Sequence, residues 1–283
     1  MIPAAFEYTR AGSAEEAMSL LAEHGDEAKL LAGGHSLLPL MKLRLAQPEM
    51  LIDVGRLSEL SYIRDAGDHV AIGALTRHHD VEMSDLLRRQ VAILPAATSK
   101  VGDSQVRHRG TFGGSLAHAD PASDLPAVIL ALEATLVARS AARGEREIAA
   151  ADFYTGFLES ALDADELLCE IRVPKIPDAG WSFQKFNRRA QDWAIVGVAA
   201  VRNGTAGVGL VNMGPTPVKA VAVEEAVAGG ASAEEAAEQA VVGAMPSADT
   251  NASVEFRSHL AKVLVRRALT EAETRTRPNG AHR

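Results

Sequence analysis

The chain has 283 residues, 47% of them hydrophobic and 23% charged, and a net charge of −8. This is enough for one large domain or two modest ones, each with its own core, in proportions ordinary for a globular protein. The acidic balance argues against a protein that wraps nucleic acid, which needs a basic face.

The first residues, from Met1 to Glu7, lack a basic region followed by an apolar run and do not read as a signal peptide. No uncharged stretch of about 18 apolar residues follows, so no membrane-spanning helix is expected. The expected location is the cytoplasm, with attachment to a membrane through a larger assembly left open. Ser13 to His24 reads as a helix. Ser13 and Glu16 have capping-box spacing, Ala17, Leu20 and Leu21 share a face, and Gly25 is a stop. Ala28 to Ala32 is a short apolar strand that runs into Gly33-Gly34-His35-Ser36. Leu37 to Leu45 reads as helix or turn, and Met50 to Val54 as the next strand.

His69 to Ala74 is a third strand. Thr76 is expected to cap a helix running through Val81 and Leu87, and Ala92 to Lys100 forms another helix. A segment rich in Gly, His, Asp and small residues then extends from Gly102 to Asp124. After it come a helix, Leu125 to Leu132, and strands at Ala134 to Ala138 and Leu167 to Val173. The second of these strands is closed by Pro174 and Pro177. It holds Cys169, the one cysteine, which reads as a small buried hydrophobe. A single thiol makes no internal disulfide, no multi-cysteine zinc site and no iron–sulfur cluster. Beyond Pro177, Trp181 to Phe186, Ala194 to Val201 and Gly207 to Met213 read as strands, with Asn203-Gly204 as a hairpin turn. Helices are expected at Ser232 to Val242, with a Ser232/Glu235 capping box, and at Val254 to Glu273. The polar tail from Thr276 to Arg283 is expected to fray.

Two segments carry chemistry. In Ala32-Gly33-Gly34-His35-Ser36 a strand feeds paired glycines and a helix start, an arrangement that aims backbone N–H groups at an anion. The bland reading, a tight turn without ligand, has even weight on this segment alone. The spacing is neither the dinucleotide fingerprint nor the P-loop, although Asp53 falls where the acid of the former would sit. The second segment, Gly110-Thr111-Phe112-Gly113-Gly114-Ser115, continues through His118 and Asp120 to Asp124. Glycine amides and the hydroxyls of Thr111 and Ser115 suit a pyrophosphate, and a carboxylate suits ribose or ribityl hydroxyls. Asp124 alone reads equally well as a helix cap. Two glycine-pair loops, each following apolar sequence, are harder to read as coincidence. His78-His79-Asp80 looks metal-like, but adjacent helical residues diverge by about 100°. His108, between Arg107 and Arg109, reads as a solvated basic turn.

The stretches LLAGGHSLLPLMKLRLAQPEMLIDVGRL and RHRGTFGGSLAHADPASDLPAVILALEATL resemble the flavoprotein subunits of the xanthine oxidase, or molybdenum hydroxylase, family. The resemblance is strongest to the medium subunit of aerobic carbon monoxide dehydrogenase and to relatives that hydroxylate N-heterocycles. It extends through LDADELLCEIRVPK, SFQKFNRRAQDWAIVGVAAV and the helical C-terminal end.

The resemblance implies an α+β fold. A two-lobed FAD-binding domain of the vanillyl-alcohol oxidase type, residues 1–177 with lobes of about 1–57 and 58–177, would precede a smaller C-terminal domain, 178–283, of antiparallel sheet and helices. FAD would lie between the lobes. Ala32, Gly33, Gly34, His35, Ser36 and Leu37 would hold the pyrophosphate together with Thr111, Phe112, Gly113, Gly114 and Ser115. Asp124 would bind FAD hydroxyls. His118 stands where relatives often carry a small hydroxyl residue. Leu168 would pack on the cofactor, Lys185 would lie near the flavin, and Asp192-Trp193 would approach the isoalloxazine. For Leu168 the simpler reading is a core strand residue, for Lys185 a solvated lysine and for Trp193 a core residue.

A large partner subunit would hold a molybdenum–pterin cofactor and a small one two [2Fe–2S] clusters, assembled as a dimer of heterotrimers. This chain would pass their electrons to an external acceptor, and no catalytic acid or base is assigned. Two other readings compete: a self-sufficient flavin oxidase, and a nucleotide-binding or assembly module without flavin.

Overall fold

The computed structural model describes residues 2–276. Of the polar tail expected to fray, only Thr276 lies within them.

The first lobe is a three-stranded parallel sheet with helices. β1 (Glu7–Arg10) is followed by α1 (Ala14–His24), β2 (Ala28–Leu31), α2 (Leu37–Lys42) and β3 (Met50–Asp53), in the sheet order β1-β3-β2. β1, Glu-Tyr-Thr-Arg, escaped the sequence reading because it is short, polar and on an edge. The Ser13 cap forms, its side chain accepting from Glu16 N. Glu16 reaches back to Gly12 N at 2.6 Å rather than to the cap residue itself. Gly25, at φ +52°, stops the helix.

The second lobe is built on a five-stranded antiparallel sheet. β4 (Ile63–Asp65) and β5 (His69–Gly73) lead into a run of short helices: α3 (His78–Met83), α4 (Asp85–Gln90), α5 (Ile93–Thr98), α6 (Ser104–Arg109), α7 (Phe112–Ala117) and α8 (Asp124–Ala131). β6 (Thr135–Ser140), β7 (Gly144–Ala149), the small β8 (Tyr154–Gly156)/β9 (Glu159–Ser160) hairpin and β10 (Glu166–Pro174) follow. The sheet order is β4-β5-β10-β6-β7. Three differences from the sequence reading have local causes. Thr76 caps nothing: its hydroxyl is taken by Tyr62, accepting from the main-chain N and donating to the main-chain O. The helix expected through Val81 and Leu87 is two helices, because Ser84 breaks the first and caps the second. The Gly- and His-rich segment is no loop, since α6 and α7 form within it, capped by Asp103 and Thr111.

β10 is the central strand of this sheet and serves two cores. Leu167 and Cys169 face the first lobe, among Ala17, Met18, Leu21 and Ile52. Leu168, Ile171 and Val173 belong to the second-lobe core with Ile72, Phe112, Leu125 and Leu136. A bulge between Leu168 and Glu170 lets the strand change which residues face which side.

The remaining strands, β11 (Gly180–Phe186), β12 (Val196–Asn203), β13 (Thr205–Val211) and β14 (Val218–Lys219), form an antiparallel sheet in that order. The expected Asn203-Gly204 turn joins β12 to β13. Helices α9 (Val221–Ala228), α10 (Ala233–Ala237) and α11 (Val254–Arg275) cover one face; α9 is an element the sequence reading missed. The Ser232/Glu235 capping box is complete, and the last turn after it tightens to 3₁₀. α8 lies against the other face. Its backbone touches β13 so closely that a Cβ on Gly209 would stand 1.9 Å from Ala127 O, and one on Gly207 2.1 Å from Ala131 O. Two glycines on one strand therefore fix where α8, and the residue at its start, must lie.

Candidate functional site

The two glycine motifs meet. A Cβ on Gly33 would lie 2.3 Å from Arg109 O and 2.8 Å from Gly110 Cα, and one on Gly114 would lie 3.9 Å from Ala32 Cβ. Arg77 links segments that flank the motifs, donating to Arg109 O and, at 3.2 Å, to Gly55 O. His78 N donates to Gly110 O. Beneath Gly110 the His78 imidazole is buried with Nδ1 unpartnered. Burial, reinforced by Arg107, His35 and Arg77, pushes its pKa down to about 4.

The motifs differ in what they can offer. Gly34 takes φ +81°, and α2 starts immediately after the loop. Among the described residues, none of the five main-chain N–H groups from Gly33 to Leu37 donates to a protein acceptor. Ser36 and His35 stand on the same loop. A row of unspent donors ahead of a helix suits an anion.

In the second motif, among the described residues, all the N–H groups from Thr111 to Ser115 except that of Thr111 are already used. Phe112 N donates to Thr76 O, Gly113 N to Ala74 O, and Gly114 N to Thr111 Oγ1. Backbone donation to an anion, expected of both loops, is therefore available as a row from the first only, the second leaving Thr111 N alone. What Thr111–Ser115 contributes is a close, Cβ-free approach at Gly114 and the Ser115 hydroxyl. Phe112 points into the second-lobe core. His118, at the C-cap of α7, is half-buried and its pKa is lowered by burial.

Asp124 is the first residue of α8. It accepts no cap bond; Ser123 holds the N-cap position, also without a side-chain bond. Instead Asp124 Oδ2 receives a 2.7 Å bond from Lys185 Nζ, a residue of β11 that also donates to Lys100 O at 3.0 Å. Both side chains are buried, at 6% and 7% exposure, so Lys185 is not a solvated lysine. Burial raises the Asp124 carboxyl to about 6 despite the ammonium beside it. Oδ1 of Asp124 is buried without a hydrogen-bond partner. A buried unsatisfied oxygen is costly unless something outside the protein completes it, and a hydroxyl-bearing ligand would.

Beside this pair opens a cleft of about 660 Å³. One wall runs from Ser99 to Ser104 and the other is the β11–β12 loop, through Asn187, Ala190 and Gln191. Sequence reasoning missed the first wall, including Lys100, because nothing in its composition marks it. Leu168 is buried in the second-lobe core and packs as an ordinary strand residue. Trp193 is not core: it stands on the β11–β12 loop at 57% exposure. His78 and His79 point apart, His78 inward and His79 stacked on His108 at 4.1 Å. Cys169 is buried, and burial raises its thiol to about 11, so it is inert at neutral pH.

The residues present fit a flavin dinucleotide on two observations, the unspent N–H row at Gly33–Leu37 and the unpartnered Asp124 oxygen. Among the described residues, no helix is long and apolar enough to cross a membrane.

Residues 4–176 match the family described as the FAD binding domain in molybdopterin dehydrogenase, and residues 181–272 match the CO dehydrogenase flavoprotein C-terminal domain. The chain is 38% identical over 286 residues to the carbon monoxide dehydrogenase medium chain of Hydrogenophaga pseudoflava, covering 97% of this chain and 99% of that one. To the 6-hydroxypseudooxynicotine dehydrogenase complex subunit alpha of Paenarthrobacter nicotinovorans it is 36% identical over 290 residues, covering 98% of each. Among solved structures, carbon monoxide dehydrogenase from Hydrogenophaga pseudoflava lacking the Mo-pyranopterin moiety superposes with a TM-score of 0.94 at 40% identity, covering 98% of this chain and 100% of that chain. Quinoline 2-oxidoreductase from Pseudomonas putida 86 gives 0.88 at 33%, covering 98% and 100%. The chain belongs to the FAD-binding medium-subunit family of the molybdenum hydroxylases, with the carbon monoxide dehydrogenase medium chains and the N-heterocycle dehydrogenase subunits among its relatives.

Proposed function

We propose that this chain carries FAD in the groove between its lobes and relays electrons from partner iron–sulfur clusters to an external acceptor. The observation that carries the reading is the pairing of an unspent N–H row, Gly33–Leu37, with the buried, unpartnered Asp124 oxygen. The loop 32–37 would hold the pyrophosphate with Ser115 and the Thr111–Gly114 turn alongside. Asp124 would accept from a ribose or ribityl hydroxyl, kept ionised and oriented by Lys185. The isoalloxazine end would face the cleft beside Lys185, with Leu168 behind it, His118 nearby and Trp193 at its edge.

FAD, when bound, accepts electrons singly and releases them singly or in pairs, while the protein supplies position and electrostatics. Lys185 brings a fixed positive charge to that end, and the burial of the pair keeps it unscreened. No side chain is assigned a proton-transfer role.

The finer fold reading belongs to this proposal: a vanillyl-alcohol oxidase-type pair of lobes, about 1–57 and 58–177, followed by a domain at 178–283. So do the partners, a large molybdenum–pterin subunit and a small subunit with two [2Fe–2S] clusters in a dimer of heterotrimers, and a cytoplasmic location. The single cysteine supports placing the clusters on another chain. The test is the visible spectrum of the purified chain and the identity of the cofactor released on denaturation. FAD near one per chain is the expected result. A colourless protein that takes up no FAD, alone or with its partner subunits, overturns the reading. Flavin bleached by an organic substrate in the isolated chain would instead make it a self-sufficient oxidase.

A further inference from the structure

The β11–β12 loop, residues 187–195, is one wall of the cleft and carries Trp193. Its far end is fastened in an unusual way. Two consecutive carbonyls, Ala194 O and Ile195 O, are each captured by a side chain from elsewhere in the C-terminal sheet-and-helix unit. Asn212 Nδ2 donates to Ala194 O at 2.8 Å, and the Arg257 guanidinium donates to Ile195 O. Arg257 is 2% exposed, a buried cation whose other terminal nitrogen pairs with Asp249 Oδ2 at 2.7 Å. Ile195 N closes the loop on Phe186 O at 2.8 Å.

Asn212 does a second thing. It sits just past β13 at φ +61°, a conformation asparagine tolerates, and its main-chain N donates to Pro121 O at 2.7 Å. Pro121 precedes Asp124 by three residues. One residue thus holds the segment that delivers Asp124 with its backbone and the segment that delivers Trp193 with its side chain. The first segment leads to Asp124, which pairs with Lys185 of the cleft, and the second carries Asn187, Ala190 and Gln191 of its wall.

We propose that Asn212, backed by Arg257, is a positioning residue: it fixes the Trp193 loop relative to the Asp124 turn and so sets the grip of the cleft on its cofactor. The proposal rests on the reading that FAD occupies this groove. Asn212→Gly tests it cleanly, because glycine keeps the positive φ and the bond to Pro121 and removes only the bond to Ala194. Asn212→Asp keeps size and backbone but turns a carboxylate toward the Ala194 carbonyl.

In a Trp181→Phe background, where Trp193 is the remaining indole, two readings are taken on the full chain: Trp193 emission anisotropy without FAD, and the FAD release rate of the loaded protein. The geometry predicts lower anisotropy in both variants. It also predicts FAD release faster by roughly three- to tenfold for Gly, the worth of one neutral hydrogen bond, and by more for Asp. A merely structural residue would lower the melting temperature without giving that order of release rates. Arg257→Lys, which keeps a cation for Asp249, should loosen Trp193 as well; if that variant fails to fold, the two Asn212 variants decide alone. Wild-type anisotropy and wild-type FAD release in Asn212→Gly overturn the proposal. A wild-type chain that binds no FAD overturns the cofactor reading instead, and the anisotropy of the cofactor-free chain then decides the clamp by itself.

Discussion

Replacing Lys185 with methionine asks whether the buried pair is what holds Asp124 ready for a ligand. Burial pushes the carboxyl up to about 6 even with the ammonium 2.7 Å away. Both influences that lower this value come from Lys185; burial, the larger one, raises it. In Lys185→Met only burial remains, and Asp124 takes up a proton at neutral pH. Breaking a buried pair from one side costs about 3–5 kcal/mol, and because the carboxyl can escape by protonating, the loss should fall near the lower end. Asp124→Asn should cost a similar amount, since it leaves a buried ammonium with only Lys100 O. The double variant buries no lone charge and should recover most of the loss. Guanidinium unfolding of the cofactor-free chain at pH 7 measures all three. The sign with pH is fixed: the penalty of a raised carboxyl is present above its folded-state value and is relieved as pH falls through it. The Lys185→Met deficit must therefore shrink from pH 7 to pH 5. A single variant within about 1 kcal/mol of wild type, or a double variant as unstable as the two singles added, would refute the account.

Other outcomes follow from the same geometry. Gly33→Ala pushes a methyl against Arg109 O and should lose about 1–3 kcal/mol by overpacking, with FAD content on purification falling in step. Gly209→Ala drives a methyl into Ala127 O and lifts α8 from β13; unfolding should again show a loss of that order, and FAD affinity should drop although the substitution is remote from the cofactor. His78 is buried neutral with its value lowered to about 4, so stability falls as pH drops from about 6.5 to 4, by about 3 kcal/mol in all. Asp124 runs the other way between about 6 and 3.8. These two contributions oppose each other over that window, and His78→Gln should be stabilised relative to wild type as pH falls from 6 to 4 in a denaturation series.

Much of the architecture could be read from residues whose chemistry is local. The Ser13 cap, the Gly25 stop, the Ser232/Glu235 box and the Asn203-Gly204 turn formed because each needs only neighbours in sequence. What could not be read depends on distant partners. β1 and β7 are polar edge strands that exist because β3 and β6 present hydrogen-bonding edges to them. Thr76 looked like a cap, but Tyr62, 14 residues away, claims its hydroxyl. At the site, both glycine pairs were visible, yet the sequence could not say that Thr76 O and Ala74 O would consume the N–H groups of the second. Nor could it join Lys185 to Asp124, 61 positions apart, or foresee that Asn212 would pin two segments at once.

The double duty of β10 has a bearing on how the chain comes to be folded during synthesis. Until residues 166–174 leave the ribosome, β5 and β6 have bare inner edges and α1 lacks the surface formed by Leu167 and Cys169. Neither lobe can finish alone, and the contacts that finish them are long-range, which makes the step slow. A nascent chain paused before Glu166 would display unpaired strand edges and apolar faces, the features that draw chaperones or aggregate. Arrest peptides placed along the coding sequence should register a folding force only after β10 has emerged, and both lobes should gain protease resistance together.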